Sequence, residues 1–382
     1  MTTPDLDRVE VTLTTCRALL AMRDDASRLQ LAAQLVQRLA DLDQTSTGRL
    51  LGRLEVDFGP SREHLEKALA DVDLGVPASV QRLHRASTSA RHRLFEAINV
   101  APGGTEAIVQ LRAVSLALDP NDHPATADDL ETTLRSWFNR GFLTLERIGW
   151  QTPASVLEKL IEYEAVHEIT SWADLRRRLD RDRRCFGFFH PSLPGEPVIF
   201  VQVALTRGMP DSIQTLLGSP APQDGEIGAD TATFYSISNC QVGLRGISFG
   251  SLLLKQVTEA LRAELPQLSV FVTLSPLPGL RAWMDDHGLT PDPAELARHA
   301  ARYLLEATRS DRPLDPVARF HLRNGARIER INIDGDTSPH GSAQSYGVMV
   351  NYRYDHATLV ANHEAYTNSG TIAIGPEVEA LI

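Results

Sequence analysis

Three short stretches hold residues whose types and spacing suit chemistry. In "SVFVTLSPLPGLRAW" (residues 269–283) an apolar, β-branched run ends at Ser275, and Pro276, Pro278 and Gly279 follow at once. A hydroxyl at the carboxyl end of a strand stands where open α/β sheets collect their ligands. In "ARFHLRNGARIERIN" His321 lies inside an amphipathic helical pattern that stops at Asn324-Gly325. Imidazole is the usual side chain for moving a proton near neutral pH. In "GLRGISFGSLLLKQV" (residues 243–257) a strand runs through a Gly-rich turn directly into an amphipathic helix. Such a turn aims backbone N–H groups and the positive end of the helix dipole at one spot, and a pyrophosphate fits there. Taken singly, each stretch also reads as ordinary structure: a strand-end serine before proline, a core or surface histidine, a turn with a packing glycine.

Other chemistries are disfavoured. The Gly-rich turn has no Gly-Lys-Ser/Thr, so it is not a Walker A loop, and it has no G-x-G-x-x-G dinucleotide fingerprint. The histidines show no H-x-x-x-H or H-E-x-x-H spacing and no cysteine pair stands near one, so no zinc or iron site is expected. The formal net charge of −11 argues against a nucleic-acid partner, which would want a basic face. No apolar run approaches the ~18 residues of a membrane span. The N-terminal "MTTPDLDRVEVTL" lacks a basic and then apolar leader, and the three cysteines, Cys16, Cys185 and Cys240, are odd in number and far apart. Together these features predict reduced thiols and a cytoplasmic location.

The elements that must position these residues fall into two halves. A chain of 382 residues is too long for one ordinary core, and 42% apolar with 23% charged residues is a globular composition. Residues 1–180 read as helical almost throughout, with seven to nine helices. Leu31, Leu35, Leu39 and Leu42 mark one face behind a cap at Asp24, and Thr126 with Asp129 resembles a capping box. From residue 181 to 382 strands interleave with helices. "CFGFFHP", "PVIFVQVALT", "TATFYSISNC", "LSVFVTL", "RIERINI" and "SYGVMVNYRY" read as strands, and a long helix is expected from about Ser248 to Glu264. The fold class is therefore α+β: an all-α helical bundle followed by an α/β domain.

The Gly-rich turn resembles the coenzyme A loop of GNAT acetyltransferases, Gln/Arg-x-x-Gly-x-Gly/Ala, with Arg245, Ser248 and Gly250 at the three marked positions. The middle glycine is replaced by Ser248. In the GNAT-like arrangement, the strand after this helix splays from the strand before it, and the pantetheine arm lies in the gap. Ser275 then stands where a thioester would arrive.

Longer stretches resemble malonyl-CoA decarboxylases. They are "RGFLTLERIGWQTPASVLEKLIEYEAVHEI", "FFHPSLPGEPVIFVQVALT", "FYSISNCQVGLRGISFGSLLLKQV", "VFVTLSPLPGLRAW", "FHLRNGA" and "VMVNYRY", in this order over residues 140–354. The resemblance implies a helical oligomerisation domain at 1–180 and a GNAT-like catalytic domain at 181–382 with a mixed, splayed sheet. It implies decarboxylation of malonyl-CoA to acetyl-CoA and carbon dioxide, in fatty-acid or malonate metabolism, by a homo-oligomer, preferentially a tetramer. Its catalytic serine and histidine fall on Ser275 and His321, and its Asn-Tyr-Arg-Tyr motif puts Tyr354 near the site. Its substrate loop falls on Arg245, Gly246, Ile247, Ser248, Phe249, Gly250 and Ser251. Animal members carry an acidic residue at the position of Ser248.

This chemistry needs no dissociable cofactor, because the coenzyme A thioester is itself the electron sink. Ser275 and His321 are expected to form a hydrogen-bonded pair, without an acyl-serine. Two other readings stand beside it. A GNAT-type N-acetyltransferase would use the same loop with an amine acceptor, and a non-catalytic acyl-CoA sensor would bind malonyl-CoA without turnover.

Overall fold

The computed structural model describes residues 3–139, 141–220, 228–247, 250–309 and 311–382. The chain divides into two compact units. The first comprises residues 1–143 with 189–198 and 241–247, and the second 144–188, 199–240 and 248–382.

The first unit is helical. Its eight described helices are Thr3–Ala21, Asp25–Ala40, Gln44–Asp57, Arg62–Ala70, Pro77–Ser87, Ala90–Ile98, Gly104–Ser115 and Pro124–Trp137. Several start on side-chain caps: Asp24 accepts from the Ser27 N–H at 2.8 Å, as expected, and Asp43, Ser61 and Ser89 cap their helices in the same way. Leu13, Leu35, Leu51, Phe95, Ile108 and Leu134 are fully buried between the helices.

The capping box expected at Thr126 and Asp129 does not form. Pro124 opens that helix, and both side chains turn to tertiary partners. Thr126 donates Oγ1–H to Glu55 at 2.7 Å, and Asp129 accepts from Ser89 Oγ at 2.7 Å and Arg91 Nε at 2.5 Å.

The second unit is built on a mixed sheet. Its strands are β1 (Thr144–Ile148), β2 (Arg183–Phe189), β3 (Pro197–Thr206), β4 (Thr231–Asn239), β5 (Val270–Thr273), β6 (Ser275–Pro276), β9 (Arg327–Asn332) and β10 (Met349–Arg353). A separate hairpin pairs β7 (Thr308–Arg309) with β8 (Arg312–Pro313). The sheet order is β1-β2-β3-β4-β5-β10-β6, with β9 on the other edge of β10. Strand β1 lies in the stretch read from sequence as helical. Its burial pattern is that of an edge strand, mostly exposed, so no apolar alternation announced it.

Two irregularities shape the middle of the sheet. β4 and β5 run parallel and pair only from Thr231 opposite Val270 to Phe234 opposite Thr273. Beyond the Leu274 N–H bond to the Phe234 carbonyl, β4 continues beside β3. The chain from Leu274 leans instead toward β10, where Ser275 sits opposite Val350. The strands thus splay, as expected. In β4, Tyr235 is an extra residue, because Gln202 opposes Ser236 while Val203 opposes Phe234.

Candidate active site

Ser275 and His321, 46 residues apart, meet at the splay. Ser275 Oγ lies 3.1 Å from His321 Nε2, and both residues are buried. His321 Nδ1 lies 2.7 Å from the Tyr354 hydroxyl. On the other side, Ser275 donates Oγ–H to Thr273 Oγ1 at 2.9 Å. Thr273 Oγ1 also accepts the Tyr352 N–H at 3.1 Å. Tyr354, His321, Ser275 and Thr273 therefore form one file of polar groups.

Each member is placed by the local fold. Ser275 opens the short strand after the bend, where pairing passes from β4 to β10. His321 sits in the last turn of the helix Pro316–Arg323, started by Pro316 after the N-cap Asp315. Asp315 is fully buried and accepts the Ala318 N–H at 2.8 Å. Tyr303 donates its hydroxyl to the second Asp315 oxygen at 3.4 Å, and the nearby Gly279 N–H also favours the charged carboxylate. Burial raises the Asp315 carboxyl above its usual range, against the lowering by these donors. A Cβ on Gly279 would lie 2.1 Å from the Tyr303 hydroxyl, so only glycine fits beneath the serine loop.

Strand β10 supplies the remaining wall. The Tyr352 ring stacks on His321, with centroids 4.5 Å apart and planes 24° apart. Asn351 is fully buried, donates to the Thr273 carbonyl at 2.7 Å and accepts from Asn332 Nδ2 at 2.8 Å and Arg330 Nε at 3.1 Å. It fixes the end of β5 through side-chain bonds just where the ladder changes partner.

Burial sets the protonation states. It lowers the His321 pKa to about 3, so the imidazole is neutral at neutral pH. It raises the Tyr354 phenol well above its usual value, so Tyr354 keeps its proton. The site is a file of neutral donors and acceptors in a buried setting, suited to holding and passing a proton.

The predicted substrate loop is reached in part. Arg245, Gly246 and Ile247 close the first unit's last segment, after the 3-10 turn Val242–Leu244. Arg112 donates Nη1–H to the carbonyls of Gly243 (2.6 Å) and Arg245 (2.9 Å) and so fixes the turn. Gly243 packs against the Val109 carbonyl at a distance no side chain allows, and Gly246 has φ +83°. Ser248 and Phe249 lie outside the described residues. Gly250 opens the helix Gly250–Glu264, in which Ser251 follows.

Sequence reasoning singled out Ser275, His321 and Tyr354 but passed over Thr273, Tyr352 and Asp315. Thr273 stands two positions before Ser275, on the same face of the strand, and nothing else in the sequence set it apart from an ordinary strand residue. Among the described residues, no group of three or more His, Cys, Asp or Glu side chains is arranged to hold a metal ion.

Comparison with known proteins covers most of the chain. A family model described as "Malonyl-CoA decarboxylase C-terminal domain" matches residues 141–300 and 290–382, and the "Malonyl-CoA decarboxylase N-terminal domain" matches 58–138. "Malonyl-CoA decarboxylase, mitochondrial" of Anser anser anser is 33% identical over 418 residues, covering 92% of this chain and 83% of that protein. The protein of the same name from Mus musculus is 33% identical, covering 90% and 83%. The crystal structure of malonyl-CoA decarboxylase from Agrobacterium vitis superposes with a TM-score of 0.92 at 43% identity, over 97% of this chain and 99% of that one. That from Rhodopseudomonas palustris gives 0.90 at 42% identity over the same shares.

Proposed function

The chain belongs to the malonyl-CoA decarboxylase family, and we propose that its Ser275–His321 pair carries the conversion of malonyl-CoA to acetyl-CoA and carbon dioxide. One observation carries this assignment of residues: a buried serine and a buried, neutral histidine from distant segments share a hydrogen bond at the splay of the sheet.

The substrate brings its own electron sink. Its thioester carbonyl is β to the carboxylate, so the electron pair of the breaking C–CO2 bond passes into the enolate oxygen. The former malonyl carbon then takes a proton, and acetyl-CoA is complete without a dissociable cofactor. The protein has to turn the carboxylate out of the carbonyl plane, stabilise the enolate oxygen and deliver the proton. A preorganised donor in a dry pocket supplies about 3–4 kcal/mol toward the second task. Positioned acid catalysis supplies about 10²–10⁴-fold toward the third.

His321, kept neutral by burial, has one ring N–H to give. It acts as donor or proton source, any proton it gives to carbon being replaced from solvent before the next turnover, while Ser275 orients it and contacts the thioester. Tyr354, protonated and 2.7 Å from Nδ1, holds the far side of the ring. No acyl-serine forms, because decarboxylation needs no nucleophile. The loop Arg245, Gly246, Ile247, Ser248, Phe249, Gly250 and Ser251 binds the coenzyme A pyrophosphate; the turn fixed by Arg112 supports this reading.

The proposal extends to a cytoplasmic homo-oligomer, a tetramer built through the helical unit, which sedimentation would test. Cys16, Cys185 and Cys240 are buried and far apart in the sequence, in keeping with a reducing compartment. No described helix is long and apolar enough to cross a membrane.

The test is to incubate the purified protein with malonyl-CoA, without added cofactor, and follow acetyl-CoA and carbon dioxide. Equal amounts of both are expected, with His321→Ala and Ser275→Ala folded, still binding coenzyme A, and slower by about 10²–10⁴-fold. Wild-type rates in either variant would remove that residue from the mechanism.

A further inference from the structure

We propose that Thr273 is a positioning residue that sets the tautomer of His321 by taking up the Ser275 proton; this rests on the Ser275–His321 reading above. A serine hydroxyl has one hydrogen and two lone pairs, and a neutral imidazole has one N–H. The hydrogen-bond direction at one end of the file therefore decides every direction along it.

That end is Thr273. Ser275 is the donor in its 2.9 Å contact with Thr273 Oγ1. With the Ser275 hydrogen directed to Thr273, the serine oxygen faces Nε2 at 3.1 Å as an acceptor. Nε2 must then carry the ring proton. Nδ1 is left bare and accepts from the Tyr354 hydroxyl, which burial keeps protonated, at 2.7 Å. The file runs in one sense: Tyr354 to His321, His321 to Ser275, Ser275 to Thr273.

Thr273 is held for this task. It is 1% exposed, its backbone carbonyl accepts from Asn351 Nδ2 at 2.7 Å, and its Oγ1 accepts the Tyr352 N–H at 3.1 Å. It is also the last β5 residue paired with β4. A hydroxyl at the final paired position and a second hydroxyl just past the bend are therefore fixed relative to each other. The His321 ring cannot rotate freely to compensate, because Tyr352 is stacked on one face.

Without the Thr273 oxygen, the nearest acceptor for the Ser275 hydrogen is His321 Nε2. The file then reverses: the ring proton moves to Nδ1, facing Tyr354, and Nε2 becomes an acceptor. An imidazole in that form has no proton to give toward Ser275 and the substrate. In serine-protease sites a wrong-tautomer histidine is costly even when the geometry is kept.

The test compares Thr273→Val, Thr273→Ser and wild type by ¹⁵N–¹H spectra of histidine-labelled protein, with the His321 signals identified by their loss in His321→Gln. Wild type and Thr273→Ser should show a proton on Nε2, and Thr273→Val a proton on Nδ1. In Thr273→Val kcat should fall by at least about 10-fold with KM for malonyl-CoA unchanged, and Thr273→Ser should restore it. Thr273→Val leaves the Tyr352 N–H without its partner; should it not fold, Thr273→Ala, which leaves room for a water at that N–H, takes its place. An Nε2 proton retained in the folded variant overturns the inference. If His321→Ala is inactive while that proton is retained, the inference alone fails. If the tautomer switches but neither Thr273→Val nor His321→Ala slows turnover, the Ser275–His321 reading fails and the tautomer assignment stands.

Discussion

The Glu164 cluster and the Ser275–His321 file are both buried polar networks of the second unit, yet one is saturated and the other runs singly. Glu164 is 8% exposed. Its carboxylate accepts the N–H groups of Val166 (2.9 Å) and His167 (3.0 Å), the hydroxyls of Ser236 (2.7 Å) and Ser238 (3.3 Å), and Gln202 Nε2. Gln202 in turn accepts from the Tyr235 hydroxyl at 2.9 Å. Many donors on one charge leave it satisfied whichever of them moves. In the file of Tyr354, His321, Ser275 and Thr273, each link has one movable hydrogen, and turning one turns them all. Saturation holds strands together; a single file of hydrogens suits proton movement. A buried carboxylate is thus no catalyst by burial alone, and the neutral pair is the better candidate for chemistry.

The sharpest way to break this contrast is Glu164→Ala. It strands several buried donors at ~1–3 kcal/mol each, so unfolding in urea should show a loss of at least about 3 kcal/mol. Decarboxylation per folded molecule should stay within a factor of two of wild type. A folded variant of normal stability that had lost activity would exchange the roles of the two clusters.

A second prediction uses pH. The His321 pKa is near 3 in the folded chain and about 6.5 unfolded, so the unfolded state binds the proton first as pH falls. Above pH 6.5 this residue contributes no pH dependence. From there toward pH 3 it destabilises the fold by up to about 1.4 kcal/mol per pH unit. His167, lowered by burial to about 4, acts in the same sense. Urea midpoints at pH 7 and pH 5 should therefore fall together less steeply in His321→Gln, which keeps the His167 share. An unchanged slope would mean that His321 is not held neutral by the fold.

The smallest effect is expected at Ser238→Ala. Glu164 keeps its other donors, so a cost of about 1 kcal/mol and unchanged turnover should follow. The same chemical change at Ser275 should slow turnover by about 10²–10⁴-fold while sparing stability. Equal activity losses at the two serines would erase the distinction between the networks.

How much of this was legible beforehand follows the same division. Ser275 at the strand end and His321 before Asn324-Gly325 could be read, because a proline-stopped apolar run and a helix stop are local signals, whereas the splay was expected only from the resemblance. Tyr354 followed from a motif. Thr273 could not be told from a strand residue, since β-branched side chains are what strands prefer. Glu164 was hidden for another reason: its side-chain donors come from Gln202, Ser236 and Ser238, far along the chain and on two strands. The false capping box at Thr126 and Asp129 shows the converse. Both residues had the right spacing, but Glu55, Ser89 and Arg91 offered stronger partners.

Gly279 joins the two halves of the site. Its missing side chain lets the Tyr303 hydroxyl lie against the serine loop, and that hydroxyl donates to Asp315, which starts the histidine helix. The loop and the helix are thereby fastened at one point. Amide hydrogens around Ser275 and around His321 should therefore exchange with solvent in one common opening event, at one free energy, rather than as two independently breathing segments.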